Sequence, residues 1–100
     1  MDNQHRKVSG YRELSQDEID LMNRIKAKGA ELLQLQAELE QALMQQVRIK
    51  AANALENTSD HAEYERFCSA EPLRWASIGK TDIQTGLMAL VRAVAQPAGV

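Results

Sequence analysis

Aromatic residues are scarce in this chain: Tyr11, Tyr64, Phe67 and Trp75 are all that its 100 residues contain. Leu, Ala, Gln, Glu, Met and Ile dominate instead, a composition that favours helix over sheet. Asn-Gly and Asp-Gly, the strongest short-range signals for a β-hairpin, do not occur. The lone cysteine, Cys68, excludes an internal disulfide and fits a reducing cytoplasm. Neither sign of charge prevails, with 12 basic against 14 acidic side chains and a net charge of −2. A duplex binder of this size would be clearly basic, so nucleic-acid duplexes and anionic membranes are not expected partners. The longest apolar run, residues 83–95, is interrupted by Gln84, Thr85 and Arg92 and falls short of the ~20 residues a spanning helix needs. No apolar stretch follows the polar opening Met1–Lys7, so a signal peptide is not expected. The expectation is a single soluble, cytoplasmic domain over residues 1–100.

Chemistry is sparse as well. His5 and His61 lie far apart and only one cysteine is present, which argues against a metal site. Cys68 and His61 are seven residues apart, two turns or ~10 Å along one helix, too far for a base to reach its thiol. No Gly-rich phosphate loop of Walker or dinucleotide type occurs. Catalytic residues and cofactors are therefore not expected, and the chain reads as a binder rather than an enzyme.

What is present is helical signal. Residues 1–9 are polar and expected to be flexible. Ser15 with Glu18 three residues on spells a capping box, flanked by Leu14 and Ile19 at the staple positions. Asp17, Glu18 and Asp20 put negative charge where the helix dipole favours it. Apolar residues then recur at Ile19, Met22, Ile25, Leu32, Leu39, Leu43 and Val47, widened by Leu33 and Leu35. The pattern predicts one long helix over 15–56, ending at the turn-forming cluster Asn57-Thr58-Ser59-Asp60. A second helical stretch is expected over 60–96, stopped by Pro97 and either kinked at Pro72 or restarted there. Its stripe is Leu73, Ala76, Lys80, Ile83, Leu87, Leu90 and Val94, apolar except for Lys80.

Two long segments joined by a short turn make an all-α fold, an antiparallel two-helix hairpin with a short N-terminal segment. Such a hairpin cannot cover its own apolar surface, and residues 83–100 carry a single charge, Arg92. Met88 and Val91 lie off the main stripe, so partner chains are expected and the chain reads as a homo-oligomer.

Some residues invite two readings. Gly29, Gly79 and Gly86 lie inside helices at a cost of up to ~1 kcal/mol each, for close helix packing or for backbone approach to a ligand. Lys80 is either a stem that snorkels to water or a cation aimed into an inter-subunit cavity. Trp75 is either core or, with Arg74, a platform for an anion or a base. The segment 47–69 offers no cation–aromatic pairing that would suggest a site, and the helix tips are expected to be dispensable for binding.

Two runs narrow these choices. Gly10-Tyr11-Arg12-Glu13-Leu14-Ser15, continuing through Ile19-Asp20-Leu21-Met22-Asn23-Arg24-Ile25-Lys26, is one. Arg74-Trp75-Ala76-Ser77-Ile78-Gly79-Lys80-Thr81-Asp82-Ile83-Gln84-Thr85-Gly86, continuing through Met88-Ala89-Leu90-Val91-Arg92-Ala93-Val94-Ala95-Gln96-Pro97, is the other. Together they resemble the phage-encoded cyclic-oligonucleotide sponge family of anti-CBASS and anti-Thoeris proteins; the middle, residues 41–71, has no recognisable counterpart. The resemblance implies a helical hairpin assembled as a homo-hexamer. It implies capture of cyclic dinucleotides and cyclic trinucleotides without cleavage, in the host cytoplasm, with some relatives taking cyclic ADP-ribose signals. It further implies that Tyr11 is a stacking aromatic and Lys26 a phosphate or base contact, with Arg74, Trp75, Lys80 and Thr81 also at the ligand. The alternative is a structural or adaptor helical oligomer with no nucleotide ligand.

Overall fold

The computed structural model describes residues 12–98, and every regular element among them is a helix: α1 over Gln16–Ala54, α2 over Thr58–Ala70 and α3 over Pro72–Ala95. The start of α1 is the capping box that the sequence spells. The Ser15 hydroxyl accepts from the Glu18 amide at 3.2 Å, and the Glu18 carboxylate accepts from the Ser15 amide at 2.9 Å. Two donors that the helix cannot satisfy internally are thereby paired.

The second helical stretch is broken, not kinked. Asn57 is the cap of α2, its side-chain oxygen accepting from the Asp60 amide at 2.9 Å, so that helix begins earlier than the expected Asp60. It ends at Glu71, whose φ of 51° is left-handed and whose amide reaches back to the Cys68 carbonyl at 3.1 Å. Pro72 then opens α3, where its missing N–H costs nothing and its fixed φ is already helical. The far end of α3 closes similarly: Gln96 is left-handed at φ 49°, its amide bonds the Arg92 carbonyl at 2.8 Å, and Pro97 comes next.

The helices form two compact units. One joins residues 32–54 of α1 with α2 and the first part of α3, up to Asp82. Its buried apolar residues are Leu43, Phe67 and Ala76, with Val47 and Leu73 packed against them. The buried Gln36 side chain donates to the Ala76 carbonyl at 3.0 Å, so the polar group inside is not orphaned. Lys50 pairs with Glu63 at 2.8 Å and lies 5.6 Å from the centre of the Phe67 ring, while Glu63 also accepts from Arg66 at 2.7 Å. The expectation of no cation–aromatic pair in 47–69 is thus corrected; Lys50 and Phe67 sit 17 residues apart on different helices, out of reach of local pattern reading.

The other unit joins the start of α1, up to Glu31, with the last part of α3 from Ile83 onward. Gly29 is buried here, and a Cβ on it would lie 2.4 Å from Leu87 Cδ1. Close packing therefore explains this glycine. Among the described residues it explains neither Gly79 nor Gly86, where a Cβ would meet nothing within 4 Å.

Both apolar stripes are wider than these contacts cover. Leu32, Leu39 and Leu90, expected inside, are 47%, 50% and 54% exposed, and Leu35 and Met88 stand out further. Gln36 occupies the interior between Leu32 and Leu39. No helix among the described residues is long and apolar enough to cross a membrane.

Candidate functional site

The α1–α3 unit carries an open trough of about 500 Å³, lined by Lys26 from α1, by Leu87, Met88, Val91, Arg92 and Ala95 from α3, and by Pro97. Its volume lies within the ~300–1,000 Å³ of small-molecule sites, and its composition is theirs too, apolar walls with few polar groups. The polar groups are cations. Among the described residues, neither Lys26 nor Arg92 makes an ion pair, whereas Arg12, Lys28, Lys50, Arg66 and Arg74 all do. Two unneutralised cations on an apolar wall suit an anionic ligand with flat apolar parts.

Arg92 was not expected at a site. Its available signal was isolation, the one charge in residues 83–100, four residues after Met88 and so on the same helix face. A second, smaller hollow lies in the same unit, about 250 Å³ lined by Leu21, Arg24, Ile25, Lys28, Leu87 and Leu90. Leu87 belongs to both, so its seat on Gly29 sets a wall of each.

The trough is bounded at one end by a polar clasp. Arg12 donates from Nε to the Ala95 carbonyl at 3.2 Å and from Nη2 to the Val94 carbonyl at 2.8 Å. The same guanidinium donates to both Glu18 oxygens, at 3.3 and 2.5 Å. Those hydrogen bonds, and those from Ser15, hold the Glu18 carboxyl at about 2, below its ordinary 4.5. The last carbonyls of α3 lack helical partners, and Arg12 supplies them with a cation at the negative end of the helix dipole.

Of the residues expected at a ligand, Lys26 lines the trough and Tyr11 lies outside the described residues. Arg74, Trp75, Lys80 and Thr81 belong to the other unit, all exposed on α3. Arg74 and Trp75 do form a pair, the guanidinium carbon 5.2 Å from the ring centre and Glu71 3.4 Å from the guanidinium. With Trp75 59% exposed, this is a surface platform and not core. Lys80 makes no ion pair among the described residues, in keeping with a cation facing water or a partner.

On α2, His61 pairs with Glu65 at 2.8 Å, and a hydrogen bond to Cys68 pushes the Tyr64 hydroxyl above its ordinary pKa. Among the described residues no group of His, Cys, Asp and Glu is placed to hold a metal ion.

Residues 3–95 match the family described as Acb2/Tad1, hairpin domain. The chain is also similar to Anti-CBASS protein 2 of Pseudomonas phage JBD67, 60% identical over an alignment of 107 positions that spans 99% of each protein. The middle, residues 41–71, expected to have no recognisable counterpart, is included in both likenesses. The chain belongs to the Acb2/Tad1 hairpin-domain family.

Proposed function

We propose that this protein is an anti-CBASS sponge, a single domain over residues 1–100 that sequesters cyclic dinucleotides and cyclic trinucleotides without cleaving them. Acting in the host cytoplasm, it starves an antiphage effector of its activating messenger. The reading is carried by the full-length likeness to a phage protein named for opposing CBASS. The trough gives it a physical basis: Lys26 and Arg92 offer charge to phosphates, and the apolar wall between them offers surface to bases. Tyr11 is the proposed stacking aromatic, a contact worth roughly 1–3 kcal/mol per base. Arg74, Trp75, Lys80 and Thr81 are the proposed contacts of a further ligand site in the other unit.

The active form is a homo-hexamer. The buried apolar set of Leu43, Phe67 and Ala76 is small, while Leu32, Leu35, Leu39, Met88 and Leu90 lie exposed. Leu32, Leu35 and Leu39 succeed one another at three and four residues, the spacing of a seam that another helix covers. Cyclic dinucleotides have near two-fold symmetry, and an interface with the same symmetry supplies each contact twice. Gly79 and Gly86, where an added Cβ would meet nothing within 4 Å among the described residues, leave backbone open to a neighbouring chain.

The test is to incubate the pure protein with a panel of cyclic dinucleotides and trinucleotides, denature it, and analyse what is released. Intact ligand is the expected result. Linear product would replace the sponge by an enzyme, and no retention would replace it by an adaptor oligomer. Lys26→Ala is expected to weaken dinucleotide binding and to flatten its salt dependence, because one phosphate-facing charge is gone.

A further inference from the structure

We infer that Arg12 and Glu18 form a positioning clasp for the trough, setting its ligand affinity without touching the ligand. The inference rests on the trough being the nucleotide site proposed above.

Arg12 reaches across 83 residues of sequence to bond Ala95, and across 82 to bond Val94. Ala95 is itself a trough wall, and Pro97 two residues on is another. The clasp therefore ties the C-terminal wall of the trough to the start of α1, the helix that carries Lys26. Without it, the one closing bond beyond the helix's own among the described residues is that of the Gln96 amide on the Arg92 carbonyl. Terminal turns held by so little fray, and a frayed wall must be ordered again each time a ligand binds.

Three features mark the clasp as more than a surface ion pair. The guanidinium spreads its donors over two carbonyls and a carboxylate, which fixes its plane. Glu18 is fixed independently by the capping box, so the acceptor is rigid before Arg12 arrives. Glu18 also neutralises Arg12, so the trough's uncompensated cations remain Lys26 and Arg92. A ligand phosphate is then drawn to those two and away from the guanidinium that holds the wall.

Lysine at position 12 keeps the charge but cannot serve two carbonyls and a carboxylate from one plane. Titration calorimetry at neutral pH would compare a cyclic dinucleotide binding to the full chain, to Arg12→Lys, to Glu18→Gln and to Lys26→Ala. Preorganisation of one wall predicts about a tenfold weaker Kd for Arg12→Lys and a smaller loss for Glu18→Gln. Because Arg12 does not meet the ligand and lysine keeps its charge, the slope of log Kd against log salt stays that of the unmodified chain in Arg12→Lys, whereas Lys26→Ala flattens it. Unchanged affinity in Arg12→Lys and Glu18→Gln would overturn the clasp while leaving the sponge intact. A weakened Arg12→Lys with a flattened slope would overturn it too, by making Arg12 a phosphate contact. Failure of the unmodified chain to bind any cyclic dinucleotide would instead remove the proposed site, and the clasp's role with it.

Discussion

Glu18 serves three donors at once, two from the Arg12 guanidinium and one from the Ser15 amide. These hold its carboxyl at about 2, against an ordinary 4.5. A carboxylate stabilised in the folded chain contributes fully above its unfolded pKa, and the contribution is lost as pH falls through the folded value. Glu63, held at about 2 by Arg66 and then Lys50, behaves the same way in the other unit. Thermal stability is therefore expected to decline as pH falls from 4.5 towards 2. Glu18→Gln and Glu63→Gln should each flatten that decline, since an amide has no proton to gain; melting curves recorded across this window decide it. Gly29 is a different kind of residue-scale constraint. A methyl there would meet Leu87 at 2.4 Å, so Gly29→Ala should destabilise by about 1–3 kcal/mol despite the better helix propensity of alanine. Combined with Leu87→Ala, which vacates the space, the two changes should be strongly non-additive in denaturant titrations. Simple additivity would mean that the two side chains do not share that space.

At the scale of elements, the junction of α2 and α3 shows how a break is enforced. Glu71 adopts a left-handed conformation without being glycine, and Pro72 removes the amide that a continuous helix would need. The stop comes from Glu71, whose amide already closes α2 on Cys68. Pro72→Ala should accordingly lower stability by only about 0.4–1 kcal/mol, by loosening the unfolded chain, and should not fuse the two helices. A marked rise in helicity by circular dichroism would show that the proline alone holds them apart. This junction also marks where the sequence was legible. Caps and breakers act over three or four residues, so the Ser15–Glu18 box, the Asn57–Asp60 turn and the stop at Pro97 could be read directly, while Pro72 could be read only as a kink or a restart. Which flank of a wide apolar stripe faces inward depends on the opposing helix, and there local reading failed: Gln36 is inside while Leu32 and Leu39 are half exposed. The trough was legible only in half. Lys26 and Arg92 each stand in a recognisable run, but Arg92 acquires meaning only beside Lys26, and the two are 66 residues apart.

For the molecule as a whole, the proposed assembly and the proposed binding stand or fall together at Leu90. Leu90 is 54% exposed in the single chain and faces a hollow it shares with Leu21, Arg24, Ile25, Lys28 and Leu87. A glutamate there can keep its charge in water while the chain is alone, so Leu90→Glu should fold with little loss of helix. Two basic side chains near it, Arg24 and Lys28, would even favour the carboxylate. In an assembly that covers this face, the same charge must be desolvated, at an effective cost of several kcal/mol per ion, repeated in every chain. The substitution should therefore convert the proposed hexamer to smaller species and abolish nucleotide retention, because the sites proposed to be shared between chains are dismantled with it. Leu55→Glu is the matching control: Leu55 is 90% exposed beyond the end of α1, and a charge there should leave both mass and binding unchanged. Sedimentation at micromolar concentration, followed by cyclic dinucleotide titration of the same samples, separates the outcomes. A Leu90→Glu protein that keeps the full assembly mass would place the interface elsewhere. One that dissociates yet binds with undiminished affinity would mean that a single chain already completes the site.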